Sequence, residues 1–269
     1  MNRYGPFNWI LLLLSSLILL FLIAPLLSMF IKTGPGEFFA TAADKEVRAS
    51  IWLTIWVSFA STLLFSVAAV PFAWILARKS FPGKSLVQGI IDLPVVLPHT
   101  AAGIALLGFI SREGVLGKAA SAVGLNLVNN PAGIAIAMAF VSLPFLINAA
   151  RDGFAAVPER LEKAGLNLGA SPSRVFFTIS LPLARRSIVT GFVMMFARGM
   201  SEFGAVVIIA YHPMIAPVLI YDRFSSFGLT YARPAAVLFI LVALVVFTLL
   251  RLLSGRRETA IFKEENADA

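Results

Sequence analysis

Six apolar stretches, each long enough to cross a lipid bilayer, constrain what this chain can fold into. They lie near residues 8–31, 50–77, 87–110, 132–150, 188–210 and 233–253. A membrane-spanning α-helix needs roughly 20 mostly apolar residues, and only helices and closed barrels pair every backbone polar group within lipid. Charged residues make up 13% of the chain, about half the share found in soluble domains. These features predict an all-α integral membrane protein with six transmembrane helices in a single transmembrane domain, residues 1–269.

The distribution of basic residues predicts the orientation of these spans. An even number of spans places both termini on one side of the membrane. Of the 22 lysines and arginines, 14 lie on that side, seven lie in the opposite loops, and Arg198 lies inside a span. Basic residues are enriched in cytoplasmic loops, so we expect a multi-pass protein of the cell membrane with both termini and the 151–187 loop in the cytoplasm. The basic residues flank apolar spans rather than forming one basic face, which argues against nucleic-acid binding.

Several chemical classes are excluded or disfavoured by composition. The chain has no cysteine and only two histidines, His99 and His212, so thiolate chemistry is excluded and a histidine-rich metal site is disfavoured. Gly83-Lys84-Ser85 resembles the end of a phosphate-binding P-loop, but Arg78 stands where that motif requires its first glycine. We therefore expect no enzyme activity, no cofactor and no metal, and any ATP-driven work requires a separate subunit.

Residues 151–187 form a polar, positively charged segment between two apolar stretches. Pro158 suits a first helical turn, and Gly169 can adopt the left-handed conformation that ends a helix. Ser171 can cap a second helix with Pro172 at its first position. The pattern predicts two short helices joined at the glycine. An exposed helix between two spans is suited to docking another protein, although charge alone is equally compatible with an ordinary basic loop.

The spacing within this loop resembles the signature loop of the permease subunits of ABC importers. Ala164 and Gly169 are followed by Ile179, with nine residues between the glycine and the isoleucine, and then by one further residue and Leu181-Pro182. Two positions depart from the signature: Lys163 stands where a glutamate is expected, with Glu162 one place earlier, and Gly165 replaces the second alanine. The resemblance implies that the loop contacts a separate ATPase subunit through Glu162, Lys163, Ala164, Gly165, Gly169, Ala170, Ser171, Ile179, Leu181 and Pro182.

The third span contains two prolines four residues apart, Pro94 and Pro98, followed by His99 and Thr100. Each proline removes one backbone hydrogen bond, so this helix is bent or broken, and its freed carbonyls must face protein or water. We interpret the segment as part of a translocation path or gate. The alternative is a kink that only shapes the packing of the helices.

The fifth span carries Arg198, Ser201 and Glu202. Arg198 and Glu202 are four residues apart, so they share a helix face and can form an ion pair. Charged residues at membrane depth face a bundle interior or water. The three residues are candidates for a polar lining of the path, and the alternative is a buried ion pair that fixes helix packing.

The third and fifth spans resemble the sulfate/molybdate branch of ABC permeases, and residues 210–221 look most like the molybdate/tungstate permeases of that branch. The resemblance implies a type I ABC-importer permease-like fold that works as a homodimer with two cytoplasmic ATP-binding subunits and an external oxyanion-binding protein. The substrate would be molybdate or tungstate. Sulfate or thiosulfate is the alternative substrate class. Two other kinds of protein are alternatives. One is an ion-coupled secondary transporter, for which only Asp92, His99 and Glu202 offer acidic or histidine side chains within the spans. The other is a membrane scaffold.

Overall fold

The computed structural model describes residues 6–255, and the described backbone forms helices and no strands. The prediction of an all-α protein is confirmed. A π-helical turn, Phe176–Ser180, joins the ninth helix to the tenth. The helices are α1 (Pro6–Lys32), α2 (Pro35–Ala43), α3 (Lys45–Arg78), α4 (Lys84–Val96), α5 (His99–Ile110), α6 (Val115–Ala122), α7 (Pro131–Ala156), α8 (Glu159–Asn167), α9 (Pro172–Val175), α10 (Leu181–Met200), α11 (Gly204–Ile209), α12 (Ala216–Phe227) and α13 (Leu229–Gly255).

Five helical segments of the described chain are long and apolar enough to cross a membrane. They are α1, α3, α7, α13 and the continuous run Pro172–Met200 that contains α9 and α10. The predicted third span is the pair α4 and α5, which meet at a bend of 112°. Six spans are present if this bent pair counts as one. The single domain over residues 1–269 stays a prediction, with residues 1–5 and 256–269 outside the described part.

Helix α7 lies at the centre of the bundle, packed along α3 and along α10. Buried serines on α3 donate hydrogen bonds to carbonyl oxygens of both partners: Ser61 Oγ to Ala135 at 2.7 Å and Ser58 Oγ to Phe196 at 2.9 Å. Interhelical hydrogen bonds of this kind help helices to associate in lipid, where the hydrophobic effect contributes little to their association. By contrast, the large apolar side chains of α1 are exposed along its length, as expected of a helix that faces lipid.

The structure corrects three boundaries. The fifth span was predicted to run over 188–210, but its helix ends at Met200 and a separate α11 follows. At the break the Glu202 side chain accepts a hydrogen bond from the backbone N–H of Ala205 at 2.9 Å, an N–H that would otherwise be unpaired at the start of a helix. The fourth span extends beyond residue 150 to Ala156. Asp44 starts α3 before the predicted residue 50, because its carboxylate accepts the N–H of Glu46.

Candidate functional sites: a polar loop and a cluster at the helix breaks

Residues 157–182, here called the loop segment, contain the short helix α8 near their start. Pro158 lies just before α8 with extended backbone geometry, at the cap position rather than in the first turn. Gly169 has a φ of +84°, the left-handed conformation that glycine adopts without steric cost. Ser171 Oγ accepts the N–H of Arg174 at 3.3 Å, and Pro172 is the first helical residue after it. The predicted helix–glycine–helix arrangement is confirmed.

The prediction of a short second helix is wrong, because the helix that starts at Pro172 does not stop. The π turn connects it to α10, so the chain stays helical from Pro172 to Met200. Within this turn the N–H of Leu181 donates to the carbonyl of Phe176, five residues earlier. A widened turn of this kind tolerates a proline in a helix, and Pro182 follows directly. The loop segment is therefore joined to a membrane-spanning helix by continuous helical backbone.

Glu162 points inward from α8 rather than toward solvent. Its side chain is 10% exposed, and its two carboxylate oxygens accept hydrogen bonds from Nε and Nη2 of Arg78, each at 2.9 Å. Ser180 Oγ, in the π turn, donates to the same carboxylate at 2.7 Å. Burial raises the pKa of Glu162, but the hydrogen bonds from Arg78 and Ser180 outweigh it and leave the pKa below its ordinary range. Glu162 is therefore ionised at neutral pH.

The exposed residues of α8 and of its C-terminal cap have a mixed apolar and charged character. Leu161 and Leu166 are each about two-fifths exposed, Leu168 is 89% exposed, and the Lys163 ammonium pairs with Glu159 at 3.0 Å in solvent. Of the predicted coupling residues, Glu162 alone is buried, Gly165, Ala170, Ile179 and Leu181 are half-buried, and Lys163, Ala164, Gly169, Ser171 and Pro182 are exposed.

Close packing explains the glycine at position 165, which is the second departure from the signature. A Cβ at this position would lie 2.9 Å from Cδ1 of Ile179 and 3.2 Å from Cγ2 of Val175. Both distances are shorter than ordinary van der Waals contact. The glycine lets α8 pack closely against the helix that follows it.

The second site is the break cluster, defined as His99, Arg198, Ser201 and Glu202. Arg198 Nη2 lies 3.0 Å from Oε2 of Glu202, so the predicted ion pair is confirmed. His99 Nδ1 lies 3.1 Å from the same oxygen, and Arg198 Nη2 also lies 3.0 Å from the imidazole. Ser201 Oγ donates to the carbonyl of Arg198 at 3.0 Å. The Glu202 side chain is 1% exposed, whereas Arg198 and His99 are 24% and 41% exposed, so the guanidinium and the imidazole face outward from a buried carboxyl group.

Two helix breaks meet at this cluster. Pro98 stands at the bend between α4 and α5, directly before His99, and Thr100 is exposed in the first turn of α5. Pro94 is buried inside α4. A Cβ on Gly204 would lie 2.6 Å from Cβ of His99, so the start of α11 touches the start of α5. The structure thus brings His99, Arg198, Ser201 and Glu202 together. Thr100 follows His99 directly in the sequence.

Sequence reasoning missed the partners that bury Glu162. In the sequence Arg78 is one of the basic residues that predict the orientation and a mismatch to a P-loop, and Ser180 is the unspecified residue between Ile179 and Leu181 of the signature. Their separations from Glu162, 84 and 18 residues, give no periodic signal. Asp92, an acidic group considered for a proton relay, is engaged as well, since Asn148 Nδ2 donates to its carboxylate at 2.6 Å.

Comparison with known proteins places the chain in a family. Residues 69–259 match the family described as the binding-protein-dependent transport system inner membrane component. The molybdate/tungstate transport system permease protein WtpB of Pyrococcus furiosus is 41% identical over 249 residues, 92% of this chain and 95% of that relative. The sulfate transport system permease protein CysT of Synechococcus elongatus is 34% identical over 247 residues, 88% of this chain and 89% of that relative.

A solved structure supports the fold independently. A crystal structure of a bacterial ABC transporter that imports the polysaccharide alginate contains a chain that superposes with a TM-score of 0.72 at 19% identity, covering 93% of this chain and 96% of that one. The resemblance of the loop segment to the signature loop of ABC-importer permeases agrees with the family match over more than half of the chain. The chain belongs to the inner-membrane component family of binding-protein-dependent transport systems, and it is a multi-pass permease subunit of an ABC importer rather than an enzyme.

Proposed function

We propose that this subunit forms the membrane path for molybdate or tungstate in an ATP-driven importer. The observation that carries the proposal is the identity of about two-fifths to molybdate/tungstate permeases over more than nine-tenths of the chain. The sulfate permeases match at lower identity, so sulfate is the second candidate. Both substrates are tetrahedral dianions, and a path built for one suits the other in shape and charge.

The assembly we propose has two copies of this chain, two cytoplasmic ATP-binding subunits and an external oxyanion-binding protein. The exposed leucines of α8 and its C-terminal cap support the docking of an ATPase subunit there, because Leu168 is 89% exposed and Leu161 and Leu166 are about two-fifths exposed. An exposed apolar patch beside charged groups is typical of an interaction site. This arrangement requires the loop segment and both termini to lie in the cytoplasm, as the positive-inside rule predicts.

The break cluster is our candidate for the polar part of the path. Arg198 and His99 present positive or polar groups outward, while Glu202 beneath them offsets the charge of Arg198. A cation that is partly neutralised attracts a dianion without trapping it, which conduction and release both require. Helix breaks at Pro98 and at Ser201 allow this region to change shape while the long helices stay intact.

Uptake by purified transporter in proteoliposomes tests the proposal. We expect the chain to co-purify with an ATPase subunit, and uptake of molybdate to need ATP and to persist when an ionophore collapses the proton gradient. Excess tungstate should compete more effectively than excess sulfate. Uptake driven by a pH gradient without an ATPase subunit would establish a secondary transporter instead, and equal competition by sulfate would favour the sulfate alternative.

Single cysteines test the path. The chain has no cysteine of its own, so Thr100→Cys and Ser201→Cys each introduce one reporter at an exposed position of the breaks. We expect a water-soluble thiol reagent to react at rates that change when ATP and loaded binding protein are added. If both thiols stay unreactive in every state of an active transporter, the break cluster is a structural ion pair outside the path.

A further inference from the structure

The cytoplasmic end of α3 carries an arginine that is bonded to other helices. Arg78 is the last residue of α3, and its side chain is only 8% exposed. Besides its two bonds to Glu162, its Nη2 donates to the carbonyl of Val157 at 2.9 Å. Val157 closes the C-terminus of α7. One guanidinium therefore joins the ends of α3 and α7 to α8.

The carboxylate extends this connection to a fourth element. Ser180, fully buried in the π turn that leads into α10, donates to Glu162. The ends of α3, α7 and the Pro172–Met200 run thus all reach α8 through the pair of Arg78 and Glu162. The two parallel N–H···O bonds between a planar guanidinium and a carboxylate fix the orientation of the groups as well as their distance.

A contribution to folding stability does not by itself explain the presence of a buried arginine–carboxylate pair. Taking two charges out of water costs about as much as their attraction returns, and well-packed apolar residues often serve equally well. What an arginine–carboxylate pair adds is a defined geometry, which lysine does not reproduce. The pair lies where three membrane-crossing segments meet α8, the helix that we propose faces the cytoplasm. At this place a defined geometry fixes the orientation of α8 relative to those segments.

We propose that Arg78 is a positioning residue for coupling: it holds α8 in one orientation against the ends of α3, α7 and α10, so that a displacement of α8 moves all three together. The corollary is that Glu162 acts inside the subunit and leaves Lys163 and the leucines of α8 to face the ATPase subunit. This inference rests on the proposed function, in which α8 docks that subunit.

The first test measures position without any partner. Spin labels at Ser80→Cys and Asn167→Cys, both exposed, report the separation of the α3 end from α8. We expect a narrow distance distribution in the parent, a clearly broader one with Arg78→Lys, and no broadening with Asp152→Asn, which removes an exposed carboxylate paired with Arg151 at the end of α7. An equally narrow distribution with Arg78→Lys overturns the proposal. This measurement does not depend on the proposed function.

The second test measures coupling. Replacing both partners, Arg78→Met with Glu162→Met, leaves no unpaired charge, so we expect the protein to fold and to retain its ATPase subunit. We expect molybdate transported per ATP hydrolysed to fall about tenfold, the scale of a typical coupling between sites, with a smaller fall for Arg78→Lys and none for Asp152→Asn. A parent-like ratio in the double variant overturns the positioning role. If the parent itself binds no ATPase subunit, the proposed function fails instead, and the spin-label result still decides the position of α8.

Discussion

The loop segment and the break cluster each bury a glutamate against an arginine, but they are built in opposite ways. In the loop segment the backbone follows local rules, with a proline before α8, a left-handed Gly169 and a capping serine, while the partner of Glu162 is 84 residues away. In the break cluster the pair of Arg198 and Glu202 is local, while the backbone around it is broken by contact with α5, about 100 residues earlier.

The difference shows that backbone form and side-chain pairing are specified at separate ranges. A cap or a turn is decided by a few neighbouring residues, and an ion pair four residues apart needs only one helical turn. A break that depends on the close approach of two helix ends, or a carboxylate buried by another helix, depends on the whole bundle. We therefore expect substitutions in the break cluster to affect stability more, and substitutions in the loop segment to affect coupling more.

The largest effect is expected from Glu202→Ala. It leaves Arg198 without its ion-pair partner and the Ala205 N–H without its acceptor, and removing one member of a buried pair costs ~3–5 kcal/mol. The free energy of unfolding in detergent, followed by circular dichroism against denaturant, measures the loss. Glu46→Ala, which removes a largely exposed carboxylate on α3, is the control and should change it by well under 1 kcal/mol. A small loss at Glu202 would remove the contrast between the two regions.

Gly204→Ala should have the next largest effect. Its Cβ would lie 2.6 Å from Cβ of His99, so α5 and α11 must separate, at a cost of about 1–3 kcal/mol. Gly108→Ala in α5 meets no atom within 4 Å and should be neutral or stabilising. Thermal midpoints of the two variants, compared with the parent, check this. Equal midpoints would mean that the two helix starts do not need their close contact.

Gly169→Val tests the expectation that substitutions in the loop segment affect coupling more than stability. A β-branched residue at a φ of +84° is strained by about 1–2 kcal/mol, although nothing lies within 4 Å of the new side chain. We expect a modest loss of stability but a large loss of uptake per ATP, because the orientation of α8 relative to the following helix changes.

Gly124→Val is the matched control, since Gly124 has a φ of +77° and open space around it but lies outside the loop segment. It should lose similar stability and keep its uptake per ATP. Normal coupling in Gly169→Val together with the same stability loss as Gly124→Val would show that the loop segment has no special role.

The smallest effect is expected from Ser171→Ala. The variant loses the hydrogen bond from the Arg174 N–H, which at a helix start is worth about 1 kcal/mol. Because α9 is continuous with a membrane-crossing run, most of the helix persists, and hydrogen exchange should rise only in its first turn. Asn130→Ala, which removes the equivalent cap of α7, provides the reference. Faster exchange along the whole Pro172–Met200 run would contradict a purely local role for the cap.

Four features of this protein could be predicted from its amino-acid sequence: the all-α membrane fold class, the apolar spans, the helix–glycine–helix backbone of the loop segment and the pairing of Arg198 with Glu202. Each of these depends on composition or on residues within a few positions of one another, where propensity, capping and helical spacing act directly.

Three other features became apparent from the packing of the helices: the fifth span ends at Met200, His99 joins Arg198 and Glu202, and Glu162 faces Arg78 and Ser180. These features depend on which helices pack together, and an apolar stretch presents lipid-facing and protein-facing sides that its composition does not distinguish. A buried carboxylate needs hydrogen-bond partners wherever the bundle supplies them, so the partner of Glu162 depends on the end of α3 lying beside α8 and not on its distance along the chain.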